Sequence, residues 1–314
     1  MYRPKSTLEQ WRILQAVVDY GGYAQAAKAL NKSQSSLNHA VTKLQDLLDV
    51  KILETVGRKA VLTEAGKALL RRSRDLTNSV SSLEQLAVNI NQDWEPEITL
   101  ALDLAFPRNT IYQALKTFMP ESRGSRLRII DTVLTGTLDA ITSASADIVI
   151  SLALPKGYLG EPIRHIEFVL VCHPKHYLAS LPQPISTETL SQHLQIVISD
   201  TSDSPKENQG WLKSELRWTV SQFDSAIDLL RQNLGFCWLP LHKVEHLLST
   251  AKLTRLYLQG SSYKQSSAFL VIPKPEHKGP GVCLLEKLIL QQREIDLLCY
   301  ENASQKNKID HGTK

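Results

Sequence analysis

One segment limits the folds open to this chain more than any other. TEAGKALLRRSRDLTNSVSSLEQLAVNIN, from Thr63 to Asn91, reads as a single long helix. Thr63 suits the N-cap, because its hydroxyl can accept a first-turn N–H, and Glu64 then meets the positive end of the helix dipole. Leu69, Leu76, Val80, Leu83, Ala87 and Ile90 follow at spacings of 7, 4, 3, 4 and 3, with Ser73 in the remaining register slot. That is a heptad seam. So narrow an apolar stripe on so long a helix calls for a second helix to cover it, and these six residues are the candidate dimerisation contacts. Packing of the seam against its own domain is the alternative.

The residues before this helix read as short helices. Leu8, Trp11, Ile13, Leu14, Val17 and Val18 form an apolar stripe at helical spacing, ended by Gly21 and Gly22. Ala26, Ala27 and Leu30 form a second stripe, whose small residues let another helix pack close. Ser33 can cap a third helix, in which Leu37, Val41 and Leu44 must face inward. At about 100° per residue, Ser35, Asn38, His39 and Thr42 then point the other way, with Gln34 at the N-terminal edge. Two helices joined by a short turn, the second presenting short polar groups outward, have helix-turn-helix geometry. In that geometry the second helix enters the DNA major groove, where Asn and Gln match the paired groups of adenine. An ordinary solvent-facing side would show the same polar residues. After Ile52 and Leu53, Gly57 makes a turn and Ala60–Leu62 a short strand. Arg58 and Lys59 then project from the tip of a wing, suited to a phosphate backbone or a minor groove.

Charge supports a polyanion-binding head. Residues 1–74 hold 13 Lys and Arg against 6 Asp and Glu, a net of +7; the remainder holds 23 against 26, a net of −3. The overall +4 hides this split. Lys32, Ser33, Lys43, Arg58 and Lys59 complete the candidate DNA contacts, the four basic residues as phosphate anchors.

Beyond Pro96, which disfavours further helix, strands and helices alternate. EITLALDL, RLRIID, ADIVISLAL, FVLVCH, QIVISD, GFCWLP and AFLVI read as strands; Asn109–Phe118 and Gly136–Ser145 read as helices. The alternation predicts an α/β domain with largely parallel sheets, and residues 97–300 suffice for two. The tail from Glu301 is polar and expected to lack structure. No apolar run approaches the roughly 18 residues of a membrane span, and no signal-peptide core is present, so a cytoplasmic location is expected. Four scattered cysteines, Cys172, Cys237, Cys283 and Cys299, suit reduced, buried thiols there.

These residues resemble the LysR-type transcriptional regulators. The likeness is carried by AQAAKALNKSQSSLNHAVTKLQ from Ala24 to Gln45, by the wing, and by VLTEAGKALL opening the long helix. Ala146–Ile150 is similar to the family's "lDlai" strand, and Asn233–Pro240 to its "GlGiallP" segment. The match spans about 1–300 and is strongest over 10–72. The chain departs from the family at Asp49, near a usual Gly, at Gln45-Asp46, near a usual acidic pair, at Thr55, near a usual Arg, and at Asn233, for a common Gly.

The resemblance implies a winged helix-turn-helix over 1–62, a dimerising linker helix over 63–94, and a periplasmic-binding-protein-like effector domain over 95–300. That domain would have two subdomains, 95–168 with 268–300, and 169–267, with crossings near Phe168 and Ala268; 301–314 is left as a polar tail. It implies a homodimer or homotetramer and a small-molecule effector in the cleft, with double-stranded DNA and RNA polymerase as the macromolecular partners. No cofactor and no metal is expected. In open α/β sheets ligands sit beyond the strands' carboxyl ends. Those ends are Asp103, Leu104, Ala105 and Phe106; Asp131, Thr132, Val133, Leu134 and Thr135; Ser199, Asp200 and Thr201; and Phe223 with Asp224. Arg108 and Asn109 open a helix whose N–H groups could hold a carboxylate. Trp211, Trp218 and Trp238 are expected in core packing rather than in an aromatic wall.

An enzyme is the weaker reading. HKVEH, His242 to His246, matches a zinc-peptidase pattern, but the pattern is short and follows GFCWLP, where the regulator family has an ordinary helix. The sequence has no G-x-S-x-G elbow, no P-loop and no G-x-G-x-x-G. The alternative to a ligand-controlled DNA-binding regulator is a small-molecule-binding protein or enzyme whose N-terminal helices are only a dimerisation arm.

Overall fold

The computed structural model describes residues 3–56, 59–204, 214–260 and 264–310, the side chains of 55, 56, 59 and 298–310 excepted. Two compact units result, the first ending at Asn91 and the second beginning at Gln92.

In the first unit, α1 (Leu8–Asp19) starts with a reciprocal cap: Thr7 Oγ1 accepts the Gln10 N–H at 3.3 Å, and Gln10 Oε1 accepts the Thr7 N–H at 2.8 Å. α2 (Tyr23–Ala29) buries Ala26 and Ala27. α3 (Gln34–Leu48) is capped by Ser33, whose Oγ accepts the Ser36 N–H at 3.2 Å. Its Leu37, Val41 and Leu44 are all 0% exposed, in one core with Trp11, Leu14 and Val17. α3 ends with Asp49 at φ 52°, so Asp occupies the left-handed position that the usual glycine would relax into.

β1 (Leu53–Val56) and β2 (Lys59–Leu62) pair antiparallel, Leu53 against Leu62 and Val56 against Lys59. The sequence predicts only the second strand. The first is held in place by α3: Gln45 Oε1 accepts the Ile52 N–H at 2.8 Å and the Leu53 N–H at 2.9 Å. α4 (Glu64–Asn91) opens on Thr63, whose Oγ1 accepts the Gly66 N–H at 2.9 Å. A Cβ on Gly66 would lie 2.1 Å from Ile52 O, so only glycine lets α4 start this close to the wing. Leu70 and Ser73 are buried, whereas Leu76, Leu83, Ala87 and Ile90 are exposed and Leu69 and Val80 half-buried.

The second unit contains β3 (Glu97–Asp103), α5 (Arg108–Phe118), β4 (Arg126–Thr132), α6 (Thr135–Thr142), β5 (Ile148–Ser151) and β6 (Glu161–Cys172). α7 (Tyr177–Ser180), α8 (Thr187–Ser191), β7 (Gln195–Ile198), β8 (Arg217–Val220), α9 (Phe223–Arg231) and β9 (Phe236–Pro240) follow. The last are α10 (Leu241–Ser249), β10 (Thr254–Leu256), β11 (Lys264–Val271) and α11 (Pro280–Asp310).

Among the described residues the strands form one hydrogen-bonded path, β4-β3-β5-β11-β6-β9-β7-β8, with β10 on β6. β4, β3 and β5 are parallel, as are β8, β7 and β9. Between these groups run two long antiparallel strands. Phe168 on β6 pairs with both Lys264 of β11 and Pro240 of β9, and β11 reaches β5 only after a register shift at Ala268/Phe269. Two separate parallel sheets were the sequence expectation. The difference arises because FVLVCH is the end of a twelve-residue strand whose first half pairs with β11.

Other differences are local. ADIVISLAL shortens to Ile148–Ser151, and β8 and β10 are edge pairings that carry no alternating signal. The expected structureless tail is corrected: the backbone of α11 stays helical through Asp310. Asn233, where the resemblance has Gly, takes φ 64°.

One buried cluster joins Ile98, Leu100, Phe106 and Ile111 to Leu285 and Ile289 of α11. A second joins Val169, Ile196, Phe223 and Leu239, and it includes Leu104, Ala105 and Val133 from the ends of β3 and β4. Residues just past the ends of β3 and β4 therefore pack against the second strand group.

Candidate functional site

The first candidate surface is the outer face of α3. Gln34, Ser35, Asn38, His39, Thr42 and Lys43 are exposed there, opposite the three core residues. This separation follows from the 3.6-residue period: apolar groups at 37, 41 and 44 lock the helix rotation and leave the rest no inward position. Ser33 is also exposed, but its Oγ is engaged by the helix cap and lies 3.0 Å from Ser35 Oγ. Lys32 Nζ lies 2.5 Å from Glu9 Oε1, so this expected phosphate anchor is ion-paired in the protein alone. Arg58, the side chain of Lys59 and the side chain of Thr55 lie outside the described residues. Gln45 was not singled out as functional. Its carboxamide positions the wing relative to α3, and the only sequence signal was its departure from the family's acidic pair.

The second candidate site is a cavity of about 350 Å³ within the second unit. The expected residues Asp103, Leu104, Ala105, Val133, Leu134 and Phe223 line it. Ser151, Leu152, Gln195, Ile196, Trp238, Lys264 and Ser266 line it as well and were not foreseen. Lys264 and Ser266 share a face of β11 by the two-residue period, so the alternation inside KQSSAFLV was the available signal. Trp238 packs against the buried cluster of Leu170 and Phe236, as expected, while also lining the cavity; Trp218 on edge strand β8 is half exposed and not in the core. Trp211 lies outside the described residues.

Eight expected residues do not line the cavity. Phe106 is fully buried in the first cluster. Asp131 pairs with Arg108, whose Nη2 lies 2.7 Å from its Oδ1. Thr132 Oγ1 lies 2.9 Å from Thr137 Oγ1, inside the fold. Asp224 is exposed on the first turn of α9.

The remaining four, Thr135, Ser199, Asp200 and Thr201, belong to a latch between the two strand groups. Asp200 Oδ2 accepts the Thr135 N–H at 3.1 Å, and Oδ1 accepts the Gly136 N–H at 3.0 Å. Thr201 Oγ1 accepts the Val133 N–H at 2.8 Å, and Ser202 Oγ lies 2.6 Å from Asp139 Oδ2. A Cβ on Gly136 would fall 2.1 Å from Thr201 Oγ1. Ser199 holds the segment to β8 through its N–H on Val220 O at 2.8 Å. Burial works to raise the pKa of Asp200, but its donors, among them the N–H groups of Ser202, Gly136 and Thr135, outweigh burial and lower it.

Electrostatically the cavity is uneven. Burial pushes Asp103 up to about 6, against hydrogen bonds from Ala105 and Thr137 and the charge of Arg108. Lys264 is lowered by burial, and its Nζ stands 4.4 Å from the centroid of the Trp238 ring. Cys237, pushed up to about 12 by burial, offers a neutral thiol. Away from the cavity, His242 of HKVEH is pushed down to about 4, by burial first and then by Lys243 and Arg164. Two neighbouring cations make that helix a poor place for a divalent metal.

Both parts of the chain match known protein families. Residues 8–67 match the bacterial regulatory helix-turn-helix protein, lysR family, and residues 91–293 match the LysR substrate binding domain. The HTH-type transcriptional regulator YeeY of Escherichia coli K12 is 29% identical over 260 residues, covering 79% of this chain and 82% of its own. YhaJ of the same strain, a probable HTH-type transcriptional regulator, is 27% identical over 252 residues, covering 79% and 84%. Among solved structures, a C206 mutant of Corynebacterium glutamicum OxyR has a TM-score of 0.50 at 18% identity, covering 94% of this chain and 97% of that one. It shares the fold. Among the described residues no helix is long and apolar enough to cross a membrane.

Proposed function

We propose how this chain works from the premise that it belongs to the LysR family of bacterial helix-turn-helix regulators. It is a DNA-binding transcriptional regulator with an effector-binding domain, not an enzyme. α3 enters the major groove, where Gln34, Ser35, Asn38, His39 and Thr42 meet base edges and Lys43 meets phosphate. The wing, with Arg58 and Lys59, follows the backbone alongside. Two copies joined through the α4 seam, as a dimer or a pair of dimers, read half-sites about one helical turn apart or a multiple of it.

The effector occupies the 350 Å³ cavity, and its binding biases the separation of the two strand groups across the Asp200 latch. The working boundaries are 1–62 for the DNA-binding module, 63–94 for the linker and 95–300 for the effector domain. The protein acts in the cytoplasm, and at a promoter it sits within reach of RNA polymerase.

The observation that carries the DNA reading is the division of α3. Three apolar residues are fully buried, and every short polar group assigned to bases is exposed, within the unit that holds the excess positive charge. Selection of duplexes from a randomised pool by the full-length protein tests it, followed by titration of a selected duplex and its scrambled counterpart at two salt concentrations. Tighter binding of the selected duplex, with affinity falling steeply as salt rises, is expected. Equal affinity for both duplexes would remove base reading.

A further inference from the structure

We propose that the effector is an organic anion, a carboxylate carried on a compact apolar body, and that Lys264 is the residue that selects its charge. This deepens the assignment of the cavity as the effector site and rests on it.

Lys264 stands at the start of β11, where the chain crosses between the two strand groups, opposite Phe168. Its ammonium is half-buried on the cavity wall, over the face of Trp238. The indole ring holds the cation in place but does not neutralise it. Among the described residues no carboxylate and no hydrogen-bond acceptor pairs with this ammonium. The acid on the same cavity is otherwise engaged: Asp103 Oδ1 accepts the Ala105 N–H at 2.9 Å, and Oδ2 lies 3.3 Å from Thr137 Oγ1. A partly desolvated cation without a counter-charge is costly, and burial already lowers the pKa of Lys264. An incoming anion removes that cost.

Two further features narrow the class. Trp238, which lines the cavity beneath the cation, has its Nε1 buried with no hydrogen-bond partner among the described residues, a donor left for an acceptor that settles against the ring. Ser266, two residues along the strand on the same face, adds a hydroxyl. These three groups suit an acceptor-only head such as a carboxylate. Much of the remaining wall is apolar, with Leu104, Val133, Leu134, Leu152, Ile196 and Phe223. A body made of a single ring or a short branched chain fits a cavity of about 350 Å³.

The test uses the full-length protein and three matched probe sets at millimolar concentration: benzoate, phenylacetate and hexanoate; their primary amides; and benzylamine and hexylamine. Thermal unfolding reads binding, since a ligand of the native state raises Tm. At least one carboxylate is expected to raise Tm, with its amide and the amines much weaker. In Lys264→Met the carboxylate affinity should fall about ten- to hundredfold, as for loss of a charge-assisted contact, and Lys264→Arg should retain most of it. The Tm of ligand-free Lys264→Met should equal or exceed the wild-type value, because an unpaired cation has left the cavity; this separates lost recognition from lost folding.

The inference is overturned if amides or amines act as well as carboxylates, if the carboxylate response survives in Lys264→Met, or if no carboxylate raises Tm. Selective DNA binding is measured on the same preparations. If it persists while the carboxylates fail, the choice of ligand class is wrong and the regulator stands. If it is absent, the DNA-binding reading fails independently.

Discussion

The Asp200 carboxylate accepts the backbone N–H of Gly136 at 3.0 Å, although the two residues belong to opposite strand groups of the second unit. The chain's own anion therefore caps the N-terminus of α6. Any motion that separates the groups must break this contact and the parallel one to Thr135.

Asp200→Ala removes the cap and takes the acceptor from the Thr135 and Ser202 N–H groups, while the Gly136 N–H keeps Val133 O at 3.1 Å. A loss of about 1–2 kcal/mol in urea unfolding is expected, with faster hydrogen exchange at Thr135. The pH sign follows from the lowered pKa of Asp200. Its stabilising contribution is complete above the unfolded value, near 3.8, and disappears as pH falls through the still lower folded value. The wild-type and Asp200→Ala stability curves should thus converge only in strong acid. Unchanged exchange at Thr135 would show that the latch does not hold the groups together.

Asp103 has the opposite sign. Burial raises its folded pKa to about 6 from 3.8, so the protonated form favours folding. This contribution is complete below pH 3.8 and is lost as pH rises through 6. Asp103→Asn keeps a neutral group there and should flatten that component of the pH–stability curve, worth about 3 kcal/mol. A variant curve parallel to wild type between those limits would contradict the assignment.

Glu9 holds Lys32 at 2.5 Å and Arg12 at 3.1 Å. Glu9→Gln should free Lys32 for phosphate, tightening DNA binding and steepening the logarithmic salt slope by about 1. Stability should shift by no more than about 0.5 kcal/mol, because the pair is exposed. An unaltered slope would leave Lys32 out of the interface.

Asn38 is exposed on α3 and the core does not need it. Asn38→Ala should cost about 1–3 kcal/mol of discrimination between selected and scrambled duplexes, with the melting temperature unchanged. Equal discrimination in variant and wild type would assign base reading to other residues.

Leu83 is 66% exposed in the single chain, yet it lies in the heptad seam of α4. Leu83→Asp places a charge where a partner helix would have to bury it, and sedimentation velocity should show a smaller species. An oligomer of wild-type mass would disprove the seam as its interface.

How much of this was readable in advance depends on the range of the forces involved. The rotation of α3 about its axis was legible, because Leu37, Val41 and Leu44 recur at the helical period and burying them is the dominant gain. The same holds for the Thr63 cap, signalled by a local capping residue. Six of the fourteen residues expected past the strand ends line the cavity.

Three of the other eight fell elsewhere for one reason. Asp200, Thr201 and Thr135 carry the right chemistry, but they direct it at each other across about sixty-five residues of chain. Lys32 likewise meets Glu9 through the packing of three helices. Backbone periodicity and capping are decided between neighbours a few positions apart, so composition order alone settles them. Which polar group finds a partner, and which cation, like Lys264, is left facing a cavity without one, depends on how distant segments come to lie side by side. That is set by the packing of the whole unit, because each hydrogen bond is available only once its two ends have been brought within reach.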